Sequence, residues 1–153
     1  MLNLGPCSDI VIASPHASFS LPEVRRGIVA GAGGIPRLVK NFGMQLASDI
    51  ALTGRAVSPE ELKHYGFLRI SSTPESLMGE ALDIAKNIAS HSPDAILVTR
   101  AGLREAWKTA NVDECAQIIS KRYEKALMEG ENAQIGLKAF AEKREPKWVA
   151  SKL

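Results

Sequence analysis

Pro22-Glu23 sets a carboxylate four residues ahead of Gly27 and the glycine-rich run Gly27-Ile28-Val29-Ala30-Gly31-Ala32-Gly33-Gly34. A carboxylate serves as general acid or base when its surroundings bring its pKa toward the working pH. Adjacent glycines let a water or a substrate approach the backbone closely, and the positive end of a helix that follows favours developing negative charge. By residue type alone, Glu23 is more often a solvated turn residue than a perturbed carboxylate. Arg37 reads as a helix-surface residue rather than a ligand.

Other chemistry finds less support. Val29 to Pro36 has the look of a dinucleotide-binding turn, but the third glycine of that fingerprint falls on Pro36, and Asp49 lies within a helix rather than at a strand end. His16, His64 and His91 show no metal-ligand spacing, and no serine or cysteine has a nearby base suggested by a motif. Cys7 and Cys115 fit neither a zinc nor a thioredoxin pattern and are expected as reduced thiols. Ser151-Lys152-Leu153 spells the peroxisomal address Ser-Lys-Leu, which an import receptor reads at a free carboxyl terminus, so a peroxisomal location is expected.

The elements that must position these residues follow from periodicity and caps. The 153 residues, 45% hydrophobic and 24% charged, suffice for one globular core without a bias to disorder. A net charge of +2 gives no argument for nucleic acid, and no apolar run approaches a membrane span. Met1 to Pro6 has no basic start, and no secretory signal is expected. Two short strands are predicted, over Asp9–Ser14 and Ala17–Leu21. After the glycines, Leu38, Phe42, Leu46 and Ile50 recur every four residues, predicting an amphipathic helix that stops near Gly54. Ser58-Pro59-Glu60-Glu61 reads as a reciprocal capping box opening a short helix to about Gly66. Phe67–Ile70 reads as a brief strand. Thr73-Pro74, Ser92-Pro93 and Asn111 with Glu114 open three further helices, the last ended by Gly130. A final helix is predicted over about Ala133–Lys143, stopped by Pro146. Two strands alone are marginal in water, so they must extend a sheet or be covered by the helices.

From Ala13 to Arg37 the sequence resembles the second half of the active-site region of the crotonase (enoyl-CoA hydratase/isomerase) family: Pro-Glu, a glycine four residues on, then Gly-Ala-Gly-Gly and an arginine. Leu52-Thr53-Gly54-Arg55 with the Ser58 capping sequence is similar to that family's turn and capped helix. Gly136 to Arg144, with Pro146 and Trp148, is similar to its closing helix. The resemblance runs from about Asp9 to Trp148. It implies an α/β fold, an incomplete crotonase-like β/α spiral followed by a C-terminal helical trimerisation region. Residues 1–57 would be the remnant of the spiral core, 58–150 the helical region and 151–153 the targeting tripeptide.

The resemblance also implies roles. Glu23 would move a proton to or from the acyl chain, facing an apolar acyl pocket that raises its pKa, and the Gly31 amide would orient the attacking water. Phe140 and Lys143 would lie against the coenzyme A nucleotide, often of a neighbouring subunit, although a helix-core phenylalanine and a solvated lysine are the plain readings of those types. The implied substrate is an acyl-CoA thioester, with coenzyme A as part of the substrate and no separate cofactor or metal. The implied partners are the peroxisomal import receptor and further subunits in a homo- or hetero-trimer or hexamer, with no nucleic acid and no membrane span.

The family's pattern places roughly a hundred residues ahead of the point that corresponds to the start of this chain. Both oxyanion amides and the second glutamate of hydratases belong to segments for which this chain shows no match, since Leu2-Asn3-Leu4-Gly5-Pro6-Cys7-Ser8-Asp9 has neither the glycine run nor a glutamate. Each oxyanion donor is worth about a hundred- to a thousandfold in rate. The resemblance implies an enoyl-CoA hydratase or isomerase of peroxisomal fatty-acid oxidation or fungal secondary metabolism, while the unmatched oxyanion donors and second glutamate weigh against activity, against water addition first. The alternatives are an inactive, shortened family member acting as an oligomerisation partner, and an incomplete gene model.

Overall fold

The structure, a computed structural model, describes residues 8–109 and 111–153. Cys7, and the Leu2–Cys7 stretch compared above with the second oxyanion segment, lie outside the described residues. The chain divides into two compact units between Leu82 and Asp83.

In the first unit, β1 (Ile12–Ala13) and β2 (Arg69–Ile70) pair in parallel, Ile12 opposite Arg69 and Ala13 opposite Ile70. The amides of Arg69 and Ser71 donate to the carbonyls of Val11 and Ala13, both at 2.9 Å. The second strand predicted over Ala17–Leu21 is not formed. A turn closes from Ser14 to Ala17, and Pro22 opens a 3₁₀ turn over Pro22–Arg26, leaving Phe19 room for a single antiparallel bridge to Val57. With turn geometry on both sides, the apolar alternation has no length over which to ladder.

Helix α1 (Gly34–Thr53) contributes more of the core than any other element, and its predicted stop is correct: Gly54 caps it in the left-handed region at φ 63°. A side chain at Gly54 would meet the Arg25 guanidinium stem, whose Nε donates to the Thr53 carbonyl at 2.9 Å. The periodicity does not disclose that α1 is broken at Gly43, with φ 75° and ψ 169°. One non-helical residue rotates everything after it. Leu38, Phe42, Ala47 and Ile50 are therefore buried, while Leu46, expected on that face, is only half-buried. Gly43 sits in a backbone region that is essentially restricted to glycine, and nothing crowds its α-carbon. Gly43→Ala is expected to destabilise the first unit by about 1–3 kcal/mol through backbone strain alone, read from the urea midpoint.

Helix α2 (Pro59–His64) starts as predicted, the Ser58 hydroxyl accepting from the Glu61 amide at 3.2 Å. The reciprocal half of the box is replaced: both Glu61 carboxylate oxygens accept from the Arg55 guanidinium, at 3.0 and 2.5 Å, and Arg55 also donates to Asp49. These bonds hold the Glu61 carboxyl below and the Arg55 guanidinium above their ordinary values. Ala13, Leu21, Val57, Leu62 and Leu68 complete the core, with the Phe67 ring tilted against Phe42 at 4.9 Å between centroids.

The helix predicted to open at Thr73-Pro74 begins one turn later, as α3 (Leu77–Ala89). Thr73 and Ser76 bond each other's amides through their hydroxyls, at 3.2 and 3.0 Å, which uses up a turn before the helix. Glu80 then reaches back to the Ser72 amide and the Ser76 hydroxyl.

The second unit contains α4 (Pro93–Thr109), α5 (Val112–Ile119), α6 (Lys125–Glu129) and α7 (Glu131–Ala141). Asn111 caps α5 as predicted, its side chain accepting from the Glu114 amide at 3.1 Å. Between α5 and α6 the run adopts one π-helical stretch, Ser120–Glu124, rather than the uninterrupted helix expected up to Gly130. The thiol of Cys115, buried, lies 3.7 Å from the Gly102 carbonyl, where α4 packs against α5. Helix α7 runs two residues earlier than predicted. It ends with Lys143 in the left-handed region at φ 51° and the Arg144 amide donating to the Ala139 carbonyl at 3.0 Å, a closing loop normally given to glycine.

The centre of this unit is polar. Asn132, 1% exposed, donates to Asp94 Oδ2 at 2.8 Å and to the Val149 carbonyl at 3.1 Å, and accepts from the Val149 amide at 2.9 Å. The Asn132 amide group thus treats the tail as a neighbouring strand would. Trp148 adds a second anchor, its indole N–H donating to the Ser90 carbonyl at 2.8 Å and its ring covering the α-carbon of Gly136.

The Ser151 hydroxyl, then the Asn132 amide, hold the Asp94 carboxyl below its ordinary value, with Lys152 adding to the effect. A depressed carboxyl stabilises the folded form fully above its unfolded value, about 3.9, and loses that contribution as pH falls through the lower folded value. Acid unfolding followed by tryptophan fluorescence below about pH 4 is expected to be less steep in Asp94→Asn than in the parent.

Candidate active site

Glu23 stands on the 3₁₀ turn after Pro22, a local consequence of proline at its first position and of Gly27 closing it at φ 70°. The Ile28 amide donates to the Glu23 carbonyl at 3.2 Å, fixing the turn against the start of the glycine-rich loop. Glu23 lines a cavity of about 250 Å³ within the first unit. The rest of the wall is Leu21, Val24, Val29, Ala30, Ile35, Leu38, Val39, Met44, Ala47, Ala51 and Leu52, with Ser48 the one hydroxyl.

Gly31 follows the wall residue Ala30, and no atom lies within 4 Å of the side chain it lacks. It opens a turn in which the Gly34 amide donates to the Gly31 carbonyl at 3.0 Å and both Ala32 and Gly33 have positive φ, 52° and 74°. The guanidinium of Arg37 donates to the Ala32 carbonyl at 2.8 Å and occupies the space a Gly33 side chain would need. Arg37, read as a surface residue, therefore holds the loop in shape at the positive end of α1.

Glu23 thus lines a largely apolar space, and Gly31 follows the wall residue Ala30 on the same short stretch of chain. Such a carboxylate can pass a proton to or from a bound chain, and the exposed glycine leaves room for a water at the backbone. The sequence reading missed the wall contributed by α1 beyond its break. Met44, Ser48, Ala51 and Leu52 are spaced four, three and one apart, a second helical face that was legible but overshadowed by the core face.

Phe140 and Lys143 lie in the second unit, at the end of α7. Phe140 is 87% exposed, so the plain reading of it as core does not hold. Ser151, Lys152 and Leu153 lie in the same unit, at the tail held by Asn132 and Trp148. Among the described residues no group of three or more histidines, cysteines and acids could hold a metal ion, and no helix is long and apolar enough to cross a membrane.

The model of the enoyl-CoA hydratase/isomerase family matches residues 2–151. The chain belongs to that family. Its crotonase-like α/β fold is shared with solved members: an enoyl-CoA hydratase subunit from Geobacillus kaustophilus has a TM-score of 0.90 at 30% identity, over 98% of this chain and 58% of that one. Among curated relatives, mevalonyl-coenzyme A hydratase of Aspergillus fumigatus is 43% identical across 95% of this chain and 54% of its own length. Carnitinyl-CoA dehydratase of Salmonella arizonae is 34% identical across 95% of this chain and 56% of its own. The chain spans about half the length of the curated relatives it matches. For this crotonase-family chain the dinucleotide-binding reading of the glycine loop is set aside, the loop instead bordering the Glu23 cavity.

Proposed function

We propose that this chain carries the Glu23 side of an enoyl-CoA hydratase active site whose acyl group is short, branched and hydroxylated. In this reading the acyl chain enters the apolar cavity, and Glu23 transfers the proton that accompanies addition or loss of water across the double bond beside the thioester. The Gly31 amide holds that water. The observation that carries the reading is Glu23 on a wall that is apolar but for Ser48, close in sequence to an open glycine turn. The relatives named for mevalonyl-coenzyme A, at 43% and 41% identity, support the acyl class. Ser48 is the wall's hydroxyl and suits the polar end of such a chain. Phe140 and Lys143 are assigned to the coenzyme A nucleotide.

Turnover of a 3-methyl enoyl-CoA with a distal hydroxyl, compared with crotonyl-CoA, tests the reading by loss of the conjugated-thioester absorbance. The branched substrate is expected to have the higher kcat/KM. A preference for straight, unsubstituted chains would sink the acyl assignment, and activity indifferent to Glu23 would sink the site.

A second reading is favoured by exposed apolar side chains on the second unit's helices, among them Leu103 at 66% and Val112 at 82%. Family members are commonly trimeric, and we assign these faces to subunit contacts, either with copies of this chain or with longer family members. Sedimentation at micromolar concentration tests it, and a monomer with no such partner would overturn it. The peroxisomal location rests on Ser151-Lys152-Leu153. A fluorescent protein fused ahead of the chain is expected in peroxisomes and, without Leu153, in the cytosol.

A further inference from the structure

The C-terminal tripeptide is not a free tail. The Lys152 ammonium donates to Glu131 Oε2 at 2.9 Å, from the first turn of α7. The Leu153 amide donates to the Ser151 hydroxyl at 3.2 Å, curling the last residues back on themselves. Two residues before Ser151, Val149 is held through both its amide and its carbonyl by the buried Asn132. Lys152 and Leu153 also form part of the lining of a cavity of about 410 Å³, together with Asp94, Glu129 and Glu131. Leu153 is 44% exposed. Three acids therefore gather where the Lys152 side chain, itself 79% exposed, lies down, and the tail upstream is bonded to Asn132.

We propose that the second unit clasps its own C-terminal address, Lys152 on Glu131 and the preceding backbone on Asn132, so that an import receptor must open the clasp before it can read Ser-Lys-Leu. The inference rests on the address reading made above. A receptor that recognises the tripeptide by its side chains has to take the Lys152 ammonium away from Glu131. Binding is then weakened by the fraction of time the tail is closed. The anchor at Asn132 keeps the tail close to Glu131 even when the ion pair opens, which raises the chance of reclosure. The contact is the kind that subunit assembly or a modification near α7 could release, giving the chain control over when its address is displayed.

The test compares the full chain, the free peptide of residues 145–153 and the full-length Glu131→Gln variant for binding to a purified peroxisomal import receptor. Circular dichroism checks that the variant keeps its helices. The chain is expected to bind about tenfold more weakly than the peptide, and the variant to recover about threefold of that. Carboxypeptidase release of Leu153, which needs no receptor, is expected to be slower from the chain than from the peptide and faster again in the variant. Equal affinities for chain and peptide, or equal release rates, would overturn the clasp. A receptor that ignores the free peptide while Leu153 stays protected in the chain would defeat the address reading, and the masking with it, but not the contact itself.

Discussion

Glu23→Gln is expected to lower kcat about 10²- to 10⁴-fold on any enoyl-CoA the chain or its assembly turns over, with acyl-CoA affinity changed little. The amide keeps the shape of the carboxylate, replaces one acceptor oxygen by an N–H donor and can neither accept nor return the proton, so an interaction made in the transition state is lost while the apolar wall is untouched. The fold should also be indifferent, because Glu23 stands on a turn set by Pro22 and Gly27 and not in the buried core. The decisive measurement is single-turnover hydration with parent and variant at equal concentration, alongside equilibrium binding. Equal turnover in both would remove Glu23 from the mechanism, whatever the family's pattern implies.

The second large effect concerns stability. Asn132→Leu is expected to destabilise the second unit by about 2–4 kcal/mol, because a side chain of the same branching but no polar atoms remains while the Val149 amide, the Val149 carbonyl and the buried Asp94 carboxylate all lose a partner. The Asp94 carboxylate keeps the Ser151 hydroxyl and the nearby Lys152 ammonium, so the cost is shared between that weakened carboxylate and the two Val149 backbone groups. Urea unfolding followed by tryptophan fluorescence reads the change, Trp148 itself lying on the segment that would come loose. Asn132→Leu combined with Asp94→Leu should recover part of the loss, as replacing both members by apolar groups removes the under-bonded carboxylate. A double variant as unstable as the single would mean that Asn132 acts through the tail alone.

How much of this was legible in the sequence depended on how far apart the interacting residues lie. The caps at Ser58 and Asn111 and the stop at Gly54 were readable because each is settled by groups within a few residues, where backbone geometry and a short polar side chain leave little choice. Pro22-Glu23 and the glycine run were likewise identifiable, and their pattern gave the family. The capping box shows where this reasoning stops. Its serine did what the sequence said, whereas Glu61 turned to Arg55, six residues back, because a bidentate guanidinium is a stronger partner than a single amide.

Tertiary structure alone decided the rest. The break at Gly43 looks in sequence like a tolerable helix glycine, yet it rotates the second half of α1 so that Met44, Ser48, Ala51 and Leu52 wall the Glu23 cavity instead of facing elsewhere. No local rule could join Asp94 to Asn132, 38 positions apart, or fasten Val149 to the same side chain. Periodicity sorts residues by polarity and would have left all these polar groups outside. Burial of a polar group is decided by whether its donors and acceptors find partners, and those partners exist only once α4, α7 and the tail have come together.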